Sequence, residues 1–183
     1  MPNHTTNVLN VTGPTADVQR FVSLVSGGEE NGFDFNTIVP MPEELKNTEK
    51  TFGSKANTDL ITKFGFDNWY DWNVANWGTK WNAYDVMDWM IEGLCDGDTT
   101  TATITFYTAW TPPQAFLDRA SEQFPSLFFS LQYVDEGGGF LGESHYENGK
   151  LSKTIDYQWD SEEGIALRQD LGVYCPENEE DEE

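Results

Sequence analysis

The sequence predicts an α+β domain in the order βαββαβ, with a long tryptophan-rich insertion after the first helix and a β-hairpin extension on the C-terminal side. Three observations carry this. Segments 7–13, 100–110 and 126–134 are rich in β-branched and aromatic residues, and the first two alternate as half-buried strands do. Segments 14–28 and 111–125 repeat apolar residues three and four apart, the spacing of an amphipathic helix. Between them, residues 66–85 hold four of the seven tryptophans, in a region that continues neither pattern for long.

Taken in order, "NVLNVTG" (7–13) reads as the first strand. Pro14 and Thr15 then open a helix whose apolar face is Val18, Phe21, Val22 and Val25, and Gly27 and Gly28 end it. The insertion spans approximately 29–78. "DFNTIVPMPEEL" is an extended apolar piece closed by two prolines, and 46–63 is polar with a lone Phe52. A short helix is expected between Asp67 as N-cap and Gly78 as stop, with Tyr70, Val74 and Trp77 on one face and Trp69 and Trp72 on its flank. "TKWNAYDV" (79–86) reads as the second strand, with Lys80 out and Trp81 in. Residues 86–98 fit a short helix or a connection. "TTATITFYTAW" (100–110) places Ala102, Ile104 and Phe106 on one face and threonines on the other. A helix over 111–125 has Thr111 as cap, proline in its first turn and proline at its end. "SLFFSLQYV" (126–134) is a strand. Residues 140–159 make two more around Asn148-Gly149, a strong hairpin signal. The order strand, helix, insertion, strand, strand, helix, strand is the ferredoxin-like split βαβ. One domain over 1–176 and an acidic tail over 177–183 are expected.

The chain carries 32 acids against 10 bases, a net charge of −22. The excess lies late: residues 81–149 have Arg119 as their single base, and residues 154–183 have Arg168 as theirs. Such a surface repels nucleic acid and anionic membranes and attracts basic protein surfaces. Cys95 and Cys175 are too isolated for a metal site or a disulfide framework. The chain has no apolar run long enough to span a bilayer, and its start lacks the pattern of a signal peptide. A cytoplasmic location is therefore expected.

Several segments together resemble one family: "MPNHTTNVLNVTG" at the start, "IVPMP" at 38–42, "NWYDWNVANWGTKWNA" at 68–83, "TFYTAWTPPQAFLDRASEQFPSLFFSLQY" at 105–133 and the glycine of "FLG" at 140–142. They are similar to the YubB-type ferredoxin-like proteins carried by plasmids and bacteriophages. The resemblance implies the ferredoxin-like fold and a mobile-element origin, and it carries neither an activity nor a catalytic residue. The extreme charge and the acidic tail lie outside the family's pattern.

Each possible site has a plainer reading. Trp69, Trp72, Trp77, Trp81 and Trp110 could stack bases or sugars, but their spacing fits a structural aromatic cluster, and Lys80 is the only cation between Phe64 and Gln114. The open face of the third strand offers Thr101, Thr103, Thr105 and Tyr107 rather than a basic-aromatic signature, so direct nucleic-acid binding is not expected. Asp96 and Asp98 lack the pattern of a calcium loop, and His4 and His145 have no catalytic partner at a recognisable spacing. No catalytic residue, metal or cofactor is assigned. The expected role is binding rather than catalysis: a phage or plasmid accessory protein that occupies a basic host protein, with nucleic-acid mimicry against a defence or DNA-processing factor as its form. The candidate contacts are Asp88, Glu92, Asp96, Asp98, Asp135, Glu136, Glu143 and Glu147. The alternative is an enzyme or small-ligand binder using a pocket between the insertion and the sheet. Oligomeric state is open.

Overall fold

Leu9 and Val11 decide the centre of the molecule. In the first strand, β1 (His4–Pro14), Leu9 lies across from Ile104 on one side and Leu131 on the other, and Val11 across from Ala102 and Phe129. All six are buried. Such a strand needs a partner on each edge, and the chain supplies β3 (Thr99–Ala109) and β4 (Phe128–Asp135). In the computed structural model, which describes residues 2–27, 32–48, 56–87, 89–93 and 98–173, the sheet is completed by β2 (Met90–Glu92), β5 (Leu141–Glu147) and β6 (Lys150–Asp156). The six strands are antiparallel in the order β2-β3-β1-β4-β5-β6.

Two helices, α1 (Thr15–Val25) and α5 (Gln114–Gln123), cover one face of this sheet. α1 buries Val18, Phe21 and Val25, and α5 buries Phe116, Leu117 and Ala120. Phe21 meets Phe124 and Phe129 edge-on, each at 5.3 Å between ring centres. Between α1 and β2 the chain forms a 3-10 turn (Phe35–Thr37) and three short helices, α2 (Glu43–Lys46), α3 (Thr58–Phe64) and α4 (Trp69–Asn76). This region joins the main core through Phe33, Phe35, Leu45, Trp72 and Trp77. Phe35 stacks on Phe116 at 4.4 Å, and the Trp77 indole N–H donates to the Val39 carbonyl at 2.9 Å.

The structure differs from three of the expectations. Residues 79–86 form no strand; Tyr84 makes an isolated bridge to Tyr107, and the second strand is β2. The segment is fixed mostly by side-chain hydrogen bonds instead of a ladder. Thr79 Oγ1 donates to the Ala109 carbonyl, Thr111 Oγ1 to the Gly78 carbonyl and Asn73 Nδ2 to the Lys80 carbonyl. Trp81 is accordingly exposed. The cap of α4 is Asn68, whose Oδ1 accepts from Asp71 N–H at 2.9 Å; Asp67 instead accepts from the Asn57 N–H and from the Asn68 amide. α5 begins at Gln114, because Thr111 spends its hydroxyl on Gly78. A further helix, α6 (Glu162–Asp170), follows the hairpin, capped by Ser161 Oγ, which accepts from Gly164 N–H at 3.0 Å. α6 seats Leu167 on Val134 and Leu141, with Tyr157 and Trp159 alongside.

Candidate functional site

The face of the sheet away from α1 and α5 can be read off the register. One row runs Thr103, Asn10, Ser130, His145 and Lys153; the next runs Thr105, Val8, Gln132, Glu143 and Ile155. Its polar groups bond to each other. Thr103 Oγ1 donates to Asn10 Oδ1 at 2.7 Å, and the Thr12 and Thr101 hydroxyls are 2.9 Å apart. α6 roofs one end, where Val134 and Leu141 lie.

The candidate acids scatter around this face. Glu92 is exposed on β2 beside Thr101, and Asp98 is exposed just before β3. Glu147 is exposed at the far end of β5. It is four strand spacings from the β2 edge, about 19 Å at ~4.8 Å per strand. Glu136 is exposed past β4 and accepts from His4 N–H at 2.7 Å. Among the described residues Glu92, Asp98 and Glu147 make no ion pair. Glu143 is half-buried: its Oε1 accepts from the Tyr157 hydroxyl at 3.0 Å, and its Oε2 lies 3.6 Å from His145 Nε2. Burial, helped by that bond and charge, raises the Tyr157 pKa. Asp135 does not belong in the set, because it is 5% exposed and accepts from Gly139 N–H at 2.9 Å within the β4–β5 turn. Asp88, Asp96, both cysteines and the acidic tail lie outside the described residues. The described acids lie around the rim of the sheet, Glu92, Asp98 and Glu147 towards one end of its strands and Glu136 towards the other.

The tryptophans divide. Trp72 and Trp77 are buried and meet edge-on at 5.6 Å, and Trp69 is half-buried against Tyr70. Trp81 and Trp110 are 39% and 41% exposed, so they are surface, not cluster interior. Lys80 lies between them, its ammonium 4.6 Å from the Trp81 ring centre and 4.5 Å from that of Trp110. Trp110 also holds a left-handed backbone (φ 74°), with its N–H donating to the Asn3 carbonyl at 3.0 Å. Beyond Trp81 the aromatic edge continues through Tyr84, Tyr107 and His4, with His4 Nδ1 2.7 Å from the Tyr84 hydroxyl. Burial, then the charges of Asp85 and Glu136, push the Tyr84 pKa up to about 12.

A groove of about 310 Å³ lies between the end of α1, residues 32–34 of the insertion and the segment 82–86, lined in part by Asp34, Asn82 and Val86, and among the described residues no strand residue lines it. Its polar groups are occupied with each other: Asn82 Nδ2 donates to Asp34 Oδ1 at 2.7 Å, and Asn82 Oδ1 accepts from Phe35 N–H at 2.9 Å. Among the described residues no group of three His, Cys, Asp or Glu is arranged to hold a metal, and no helix is long and apolar enough to cross a membrane.

The strand order β2-β3-β1-β4, with α1 and α5 on one face, is the ferredoxin-like arrangement. Residues 76–182 match the family described as the ferredoxin-like domain in Api92-like proteins. The chain belongs to that family. The matched range of this Api92-like chain opens at the end of α4 and takes in β2 to β6 and α6; β1 and α1 precede it. A crystal structure of the protein api92 from Yersinia pseudotuberculosis is similar in fold, with a TM-score of 0.55 at 12% identity. The similarity covers 86% of this chain and 98% of that one. No curated protein matches the chain significantly.

Proposed function

We propose that this Api92-like chain is a non-enzymatic binding protein of a phage or plasmid, which occupies a basic surface of a host protein with its acidic rim. The observation that carries the reading is the exposure of Glu92, Asp98, Glu136 and Glu147 on a chain of net charge −22. Carboxylates held at separated points on a rigid sheet present fixed negative charge, as phosphates do along a nucleic acid. A groove built to bind phosphates is attracted to both. Host defence and DNA-processing factors carry such grooves, and the resemblance to plasmid- and phage-borne proteins supplies the setting. The domain over 1–176 acts as the scaffold, and the tail over 177–183 adds charge. Opposite charge speeds encounter, while apolar contacts in the interface set its lifetime.

The test is capture of the partner from host lysate, followed by calorimetry with the purified pair. Affinity is expected to fall steeply from about 50 to about 500 mM salt. The variant Glu92→Gln/Asp98→Asn/Glu136→Gln/Glu147→Gln is expected to bind weakly and with a flatter salt dependence. A salt-independent affinity, or a quadruple variant that binds like the wild type, would refute the reading.

A further inference from the structure

β6 is the last strand of the sheet, and among the described residues its outer edge has no backbone partner. The bond from Tyr157 N–H to the Leu141 carbonyl sets its phase. In an antiparallel ladder, residues alternate between bonding the neighbour and facing away. Lys153, Ile155 and Tyr157 therefore bond towards β5, and Thr154 and Asp156 turn their N–H and C=O groups outward. Water solvates such a row of alternating donors and acceptors, and another extended backbone can replace it along the whole row.

A groove of about 340 Å³ adjoins the start of this strand. Ala115, Asp118, Arg119 and Glu122 of α5 form one wall, and Lys150 and Leu151 the other. Leu151 is 48% exposed and supplies an apolar floor beside Ala115. Arg119 is engaged with Glu122 at 3.0 Å, whereas Asp118 has no side-chain hydrogen bond or ion pair among the described residues. Burial, then the charge of Glu122, raises its pKa even with the Arg119 guanidinium acting against them, and a further cation would relieve it. Lys153 pairs with His145 on the opposite face, away from the groove.

An edge strand beside a helix-walled groove is the geometry in which proteins take up a peptide as an added strand. We propose that β6 receives an extended segment of the basic partner. That segment pairs its backbone with Thr154 and Asp156 and sets an apolar side chain on Leu151. It places an arginine or lysine, two residues along, against Asp118. Residues two apart in a strand share a face, so one peptide can make both contacts. The inference rests on the reading of this chain as a binder of a basic protein and names where and how it binds.

The probe is a synthetic ten-residue peptide alternating threonine with leucine and arginine, titrated into the isotope-labelled full chain and followed by NMR. Shift changes are expected on β6 and the groove side of α5. Methylating alternate backbone nitrogens of the peptide is expected to abolish them, as is Thr154→Pro, which deletes an outward N–H without touching the β5 ladder. Asp118→Asn is expected to weaken binding about tenfold. Should Thr154→Pro unfold the chain, the methylated peptide still decides. Equal binding of the methylated peptide, shifts confined to the acidic rim, or no preference over a glutamate-for-arginine peptide would each overturn the proposal. A captured partner that depends on the rim acids but ignores Thr154→Pro and Asp118→Asn would overturn this proposal and leave the wider reading standing.

Discussion

Phe35→Ala measures how far the insertion is part of the core. Phe35 is fully buried, although it lies in a three-residue turn of the insertion and not in the sheet or its two covering helices. Its ring stacks on Phe116 at 4.4 Å and meets Phe33 at 5.3 Å, Trp77 at 5.8 Å and Phe106 at 6.3 Å. Removing it loses the transfer free energy of a phenyl ring and leaves a cavity, together about 3–5 kcal/mol. Collapse into that cavity is resisted, because the backbone on either side is pinned. Phe35 N–H donates to Asn82 Oδ1 at 2.9 Å, and Asp34 N–H to the Val25 carbonyl at 2.8 Å. The upper half of the range is therefore expected. In a chain of this size it corresponds to a fall of roughly 10 °C or more in Tm. Urea unfolding followed by both tryptophan fluorescence and far-ultraviolet circular dichroism is the assay. The two signals should shift together, since Trp77 and the sheet share one core. A loss below about 1 kcal/mol, the size of an ordinary substitution, would refute the argument. So would a fluorescence transition that separates from the sheet's, because the insertion would then be an appendage.

Gly142→Ala should cost about 1–3 kcal/mol in the same assay, because a Cβ at this position collides with the Ile155 carbonyl oxygen and β6 must move. Stability should decline as pH rises from about 10 to about 12: the unfolded Tyr84 phenol ionises near its ordinary value, while in the fold it keeps its proton to about 12. Tyr133 and Tyr146, both raised by burial, act in the same direction. Tyr84→Phe should flatten part of that decline in urea midpoints taken across the range; an unchanged slope would count against the assignment. Lys80→Ala removes the cation between two exposed indoles. It should cost no more than about 1 kcal/mol and should alter tryptophan emission, an outcome that a buried cluster would not produce.

The parts of the fold legible in the sequence are those whose signal is local. The alternation of 100–110 yields β3, and the spacing of Val18, Phe21 and Val25 yields α1. Asn148 and Gly149, both with positive φ, sit at the turn between β5 and β6. The segment 79–86 misleads because Lys80 to Ala83 alternate like a strand, while its backbone meets the sheet only at the Tyr84–Tyr107 bridge and side chains such as Thr79 and Asn73 make its other hydrogen bonds. α6 had a readable start in Ser161-Glu162-Glu163, a cap followed by acids, but its apolar face is short. The groove beside β6 had no sequence signal, since its walls come from α5 and a hairpin that meet only in the folded chain.

By itself the sequence determined the central strands, the two helices that cover them and the net charge, because periodicity and composition are properties of the chain as written. Tertiary structure alone decided which tryptophans are inside, that Asp135 is held within a turn, and which edge strand lies beside a groove. Each of these depends on which distant segment arrives to cover a surface, and a residue's neighbours along the chain carry no record of that.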